Sequence, residues 1–229
     1  MSALDYSIRR SDRARHARIV VDAAGVEVVV PRRMALRHVP PFVEEKRPWI
    51  ERTLRRLRDA EAAGPQVRLE DGGQVPYLGR ELELRVLVEP GRVRDHVAMR
   101  GDALHVKVGR GGAAAVRQAL ERWYRRRARV EVAARLDAAT ARAGTRYTRL
   151  TIRGQRTRWA SCSTTGAMSF NWRLLLAPEE ILDYVVEHEV AHLQLMDHSP
   201  RFWRLLASRS PDYREHERWL RRHGPALRI

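Results

Sequence analysis

The chain has 229 residues, 44% hydrophobic and 31% charged, the composition of a soluble globular protein with one large domain or two small ones. Its 44 basic residues exceed its 28 acidic ones by a formal +16, and only Lys46 and Lys107 are lysines, so the excess is carried by arginine. The single cysteine, Cys162, excludes an internal disulfide and fits a reducing compartment.

In chain order, Ala17–Val21 and Val26–Val30 flank the turn-forming group Asp22-Ala23-Ala24-Gly25, which predicts a hairpin. Residues 40–57 read as a helix, with Phe42, Trp49, Ile50, Leu54 and Leu57 near helical spacing and Gly64-Pro65 as its break. Short β-rich runs follow at Val75–Tyr77, Glu81–Val88, Val93–Met99 and Leu104–Val108. Gly79, Pro90-Gly91 and Gly101-Asp102 separate them, predicting an antiparallel meander. Gly109–Gly112 reads as a linker, too short and irregular for a phosphate-binding loop. The expected division is therefore a β-rich region over 1–112 and a second domain over 113–229.

A long helix is expected over 113–143, stopped by Gly144. Val116, Leu120, Trp123, Tyr124, Val130, Val132, Ala133 and Leu136 form its buried stripe. Between Ala113 and Ala160, thirteen arginines face only Glu121, Glu131 and Asp137, a net +10. Such a segment either binds a polyanion such as nucleic acid or is a solvated helix face. No helix-turn-helix, zinc-finger or RNA-binding signature accompanies it. Strands are expected near 149–153 and 156–162, then over 168–174 after the turn Thr164-Thr165-Gly166. Pro178-Glu179-Glu180 begins a further helix, and shorter ones are expected over 200–208 and 211–222, with Ser199 as N-cap and Pro200 at the first helical position.

The third helix carries His188-Glu189-Val190-Ala191-His192, with His198 six residues on. Histidines four apart lie on one helix face, so both rings reach a single ion. The run Ile181–Val186 before them and Ala191, Leu193, Leu195 and Met196 after them make the helix largely buried, where unpartnered imidazoles would be costly. Three neutral imidazoles and one open coordination position describe a catalytic site for one Zn²⁺, with Glu189 placed to hold a water. Glu215 or Glu217 is the alternative third ligand. Asp183, Glu187, Asp197 and Asp212 are the carboxylates nearest in sequence that could orient the imidazoles. Arg158, Asn171, Arg173 and Tyr184 are candidates for assisting the reaction at the substrate. A strand edge next to the helix could hold an extended peptide, and proline along 158–161 or 169–173 is expected to abolish that.

Thr157-Arg158-Trp159-Ala160-Ser161-Cys162, Asn171-Trp172-Arg173-Leu174, Asp183 through Leu193, His198-Ser199 and Phe202-Trp203 together resemble the YgjP-like metallopeptidases, relatives of the SprT-like and WLM zincins. The likeness spans nearly the whole chain, including the early hairpin and Pro76–Arg80. It departs at Ala160, where the family usually carries glycine. The resemblance implies an α+β fold. In it a zincin-like C-terminal domain packs its His-Glu-x-x-His helix beside a small antiparallel sheet, with His188, His192 and His198 as zinc ligands and Glu189 as base. Metzincins share the spacing but carry glycine where this chain has Leu195.

The expected function is a zinc metallopeptidase acting on polypeptide. The alternatives are a nucleotide phosphoanhydride hydrolase, or a DNA-associated protease or nucleic-acid-binding protein using the 113–160 segment. Met1–Asp12 shows no secretory signal and no apolar run can span a bilayer, so the expected setting is the cytoplasm, without a membrane partner.

Overall fold

The computed structural model describes residues 4–22, 25–63, 67–155 and 158–229, which form two compact units, 1–64 and 65–229. In the first, β1 (Ser7–Ser11), β2 (Arg18–Asp22) and β3 (Gly25–Pro31) form a sheet in the order β1-β3-β2. β2 and β3 are the expected hairpin, although Ala23 and Ala24 of its turn lie outside the described residues. β1 was not expected, and it pairs with β3 in parallel. Alternation along β3 turns Val26, Val28 and Val30 onto Val39, Val43 and Ile50 of α1 (Val39–Ala63). α1 runs longer than the apolar pattern suggests. Gly64-Pro65, its expected break, lies outside the described residues.

The second unit starts with β4 (Gln74–Tyr77), β5 (Arg80–Val88), β6 (His96–Arg100) and β7 (Ala103–Val108). Their order is β4-β5-β7-β6, with β5 and β7 parallel, so the meander expectation is corrected. Period-two alternation fixes which face a residue takes but not which strand lies beside it. Leu82, Leu84, Leu104, Val106 and Val108 share one core with Val116, Leu120, Trp123 and Tyr124 of α2 (Ala113–Ala143). The division therefore falls between 64 and 65 rather than 112 and 113: Gly109–Gly112 is a turn inside a single core. Gly144 ends α2 in the left-handed conformation at φ 63°, where a side chain would be strained. The buried stripe of α2 is as expected except at Val130, 58% exposed, and Ala133, half-buried.

β8 (Arg149–Arg153), β9 (Ala160–Cys162) and β10 (Ala167–Asn171) make the third sheet, in the order β8-β10-β9. It is mixed rather than antiparallel: β10 runs parallel to β8 and antiparallel to β9. The expected start of β9, Arg156 and Thr157, lies outside the described residues. β10 stops at Asn171, whose side chain accepts from the Arg173 N–H and turns Trp172–Leu176 into a buried 3-10 helix instead of more strand. α3 (Glu179–His192), with Glu179 and Glu180 in its first turn, α4 (Pro200–Arg209) and α5 (Tyr213–His223) complete the unit. Ser199 is the N-cap of α4 by backbone, but its side chain makes no capping bond. The molecule is thus a mixed α+β protein. No helix among the described residues is long and apolar enough to cross a membrane.

Candidate metal centre

α3 supplies His188 and His192 from adjacent turns, and the loop between α3 and α4 returns His198. One ring nitrogen from each lies within 4.8 Å of the others. His188 Nε2 and His198 Nε2 are 3.2 Å apart. Two nitrogens bound to one tetrahedral Zn²⁺ at about 2.0–2.1 Å would sit roughly 3.4 Å from each other, so this pair fits one cation. His192 turns Nδ1 to the Leu195 carbonyl at 3.0 Å, which leaves Nε2 for the centre. Burial first, then the neighbouring His192 and His198, push the His188 imidazole down to about 4. His192 is also held low, chiefly by burial. Both are therefore neutral near pH 7, the form that binds a metal.

The pocket around the rings is aromatic and rigid. Phe202, fully buried on α4, stacks on His192 with centroids 4.6 Å apart, and Trp203 lies 5.5 Å from His198. Tyr213 stacks behind Trp203 at 5.6 Å. Phe202 and Trp203 thus hold the loop ligand in place from the first turn of the helix that Pro200 starts.

Glu189 is buried one residue from His188, and its Oε2 has no hydrogen-bond partner. Burial pushes its carboxyl up to about 7, while the Cys162 backbone N–H and the charge of Arg158 favour the ionised form. That amide is free for Glu189 because of register. β9 is an edge strand, and Asn171 N–H donates to the Trp159 carbonyl (2.7 Å) while Ser163 N–H donates to the Ala167 carbonyl (3.0 Å). Residues 159 and 163 therefore face β10, and the backbone groups of Ala160 and Cys162 point outwards. Sequence reasoning had no signal for this contact, since any residue supplies an N–H.

The other candidates divide. Tyr184 is buried with its ring 6.0 Å from His188, and burial keeps its hydroxyl protonated. Arg158 is exposed and within electrostatic range of Glu189. Asn171 instead ties the loop before β9, donating to the Gln155 carbonyl at 2.8 Å, and Arg173 lies over the Trp172 ring at 4.8 Å. Asp183 pairs with Arg135 and Glu187 with Arg142, linking α3 to α2. Asp197 accepts from the Ser199 N–H at 2.9 Å, and Asp212 caps α5 through its backbone. The acceptor that orients a ligand is thus a backbone carbonyl, that of Leu195. Glu215 and Glu217 face Arg218 and Arg221 and are not in the cluster. The Cys162 thiol, pushed up to about 11 by burial and Glu189, is not in it either.

Residues 15–223 match the family described as YgjP-like, metallopeptidase domain. The chain belongs to the YgjP-like family. This YgjP-like chain is a metallopeptidase domain whose family implies a metal ion, and its histidine cluster is able to hold one. Among solved structures it is similar to the metallopeptidase zymogen abylysin of Pyrococcus abyssi. That match has 25% identity over 39% of this chain and 92% of the other, with a TM-score of 0.34. No curated protein matches.

Proposed function

We propose that this YgjP-like protein is a zinc-dependent metallopeptidase with His188, His192 and His198 as ligands and Glu189 as general base. The observation that carries the reading is the convergence of three imidazoles on a helix that also carries a buried carboxylate oxygen without a hydrogen-bond partner. An all-imidazole set suits zinc, whereas magnesium chemistry on phosphoanhydrides asks for oxygen ligands, which favours a peptide substrate over a nucleotide. Bound there, Zn²⁺ would supply a Lewis acid that polarises the scissile carbonyl and lowers the pKa of a water to about 7.

The chain's own groups supply the rest. Glu189 accepts the proton of the attacking water at Oε2 and delivers it to the leaving amine, while the Cys162 N–H keeps the carboxylate turned toward that water. The Ala160 N–H and carbonyl, pointing away from the sheet, offer an extended peptide the two hydrogen bonds of a neighbouring strand. Arg158 and Tyr184 are the side chains near enough to stabilise charge developing on the carbonyl oxygen. Relatedness to SprT-like proteins and a cytoplasmic setting remain part of the reading, the latter supported by the single cysteine. The test is an unstructured protein substrate such as casein incubated with zinc-loaded wild type and Glu189→Gln. Cleavage lost in the variant with zinc retained supports the mechanism; equal cleavage by both ends it.

A further inference from the structure

Apart from Arg158, the arginine-rich stretch between 113 and 160 takes no part in the metal centre, and folding divides it. Arg122, Arg125, Arg127, Arg135 and Arg142 are each bonded to a carboxylate. Of the remainder, four lie together: Arg126 and Arg129 on α2, and Arg149 and Arg153 at the two ends of β8. All four are exposed and have no carboxylate partner among the described residues. Their one polar contact there is a long one, from Arg129 Nη1 to the Leu150 carbonyl at 3.4 Å. The acids of the stretch are taken up elsewhere. Glu121 is held by Arg125, Glu131 by Arg127 and Arg135, and Asp137 by the Tyr147 hydroxyl.

The four arginines follow one edge of the third sheet. β8 is its outer strand, with β10 on one side only. α2 runs beside β8 in the opposite direction, as two contacts fix. Arg129 reaches Leu150, next to Arg149. One turn earlier Arg125 packs against Gly154, next to Arg153, so closely that a Cβ there would fall 2.7 Å from its Nη2. Arg126 lies one helical turn before Arg129, on the same face. The helix thus sets a pair of guanidinium groups along one side of the edge. Leu150 and Ile152 turn inward to the core, so alternation puts Arg149 and Arg153 on the other side. At about 3.3 Å per strand residue these two are roughly 13 Å apart, farther than a single small anion can bridge.

We infer that the β8 edge, with Arg126 and Arg129 on one side and Arg149 and Arg153 on the other, is a docking surface for the phosphate backbone of nucleic acid. A guanidinium stays charged at any working pH and grips a phosphate through parallel N–H donors. A backbone supplies phosphates in a row, which suits a charged edge, and it is bound without regard to base sequence. A lipid surface would ask for exposed apolar side chains, and of the large ones only Val130 of α2 is exposed beside this edge. The β9 rim lies on the opposite side of the sheet, so this surface is separate from the proposed peptide site.

The test is fluorescence anisotropy of a labelled DNA duplex with the full-length protein over a range of salt concentrations. Arg126→Gln with Arg129→Gln, and Arg149→Gln with Arg153→Gln, are made as pairs and then combined; thermal melting identifies any that fail to fold. Each phosphate contact removed changes the slope of log K against log salt by about 0.9. The combined variant should therefore flatten the slope by about 3.6 and lose affinity by about tenfold or more at low salt, with each pair giving about half the change in slope. A charge-matched control replaces Arg52, Arg55, Arg56 and Arg58, four exposed arginines of α1, with glutamine. It should bind within about threefold of wild type. An equal loss in that control means that net charge alone attracts the duplex, and overturns the proposal. So does wild-type protein that binds phosphatidylserine vesicles in place of the duplex, or binds neither. An edge variant that aggregates yet binds the duplex at wild-type strength overturns it as well, since the arginines would then only guard an open strand.

Discussion

Two of the places in the second unit that bury polar atoms without partners differ in kind. At the candidate metal centre the unsatisfied groups are acceptors: imidazole nitrogens converge on one point, and Glu189 Oε2 is unpaired on the same helix. Around Trp172 they are mixed: an indole N–H and, nearby, the Gln155 Oε1 acceptor. A third cluster shows what completion looks like. Arg135 is bonded to Glu131, Glu179 and Asp183 together, and nothing there is left over. Converging acceptors alone call for a cation, whereas a mixture of donors and acceptors calls for no single ion, since a buried polar group is costly only while unpaired.

The largest effect expected on this comparison comes from Glu189→Gln. It should lower peptide cleavage by about three orders of magnitude while metal content, read by elemental analysis, stays at one zinc per chain. His198→Ala removes one of three acceptors, so zinc affinity measured by competition with a chelator dye should fall by about a hundredfold; unchanged affinity would mean that His198 is not a ligand. Ala160→Pro deletes an outward N–H without touching the bonds to β10, so cleavage should drop tenfold or more with melting temperature nearly unchanged. Ser169→Pro sits in the central strand and should unfold the unit instead. Arg135→Ala opens the completed cluster: Glu131, 15% exposed, loses one of its two charge partners on α2 and keeps Arg127. A loss of about 2 kcal/mol in urea unfolding is expected, without loss of zinc. Val130→Ser should change stability by less than about 0.5 kcal/mol, because that side chain buries little.

Much of the metal centre was legible because helical spacing alone brings His188 and His192 together, and proline after His198-Ser199 marks where the loop must turn. Gly144 and most of the apolar stripe on α2 were legible for similar local reasons. What was not legible depended on partners distant in sequence. The parallel pairings β1–β3, β5–β7 and β8–β10 leave no mark on the alternation of any one strand. Gly109–Gly112 has the composition of a linker, yet its flanks pack into the same core. Arg173 stands two residues from Asn171 and close to the site motifs, but the 3-10 turn carries it onto Trp172. The Cys162 amide that holds Glu189 has no side-chain signature at all.

All three sheets share one connectivity. A hairpin docks its second strand in parallel onto an earlier strand, giving β1-β3-β2, β5-β7-β6 and β8-β10-β9. The leading strand of each hairpin is thereby always left on the rim, and for the third sheet that rim is β9, facing Glu189. The edge that the proposed function offers to a polypeptide is therefore written into the path of the chain, not created by trimming a neighbour. On that proposal, adding residues to the 163–166 turn would slide the rim along α3 and move the point of scission.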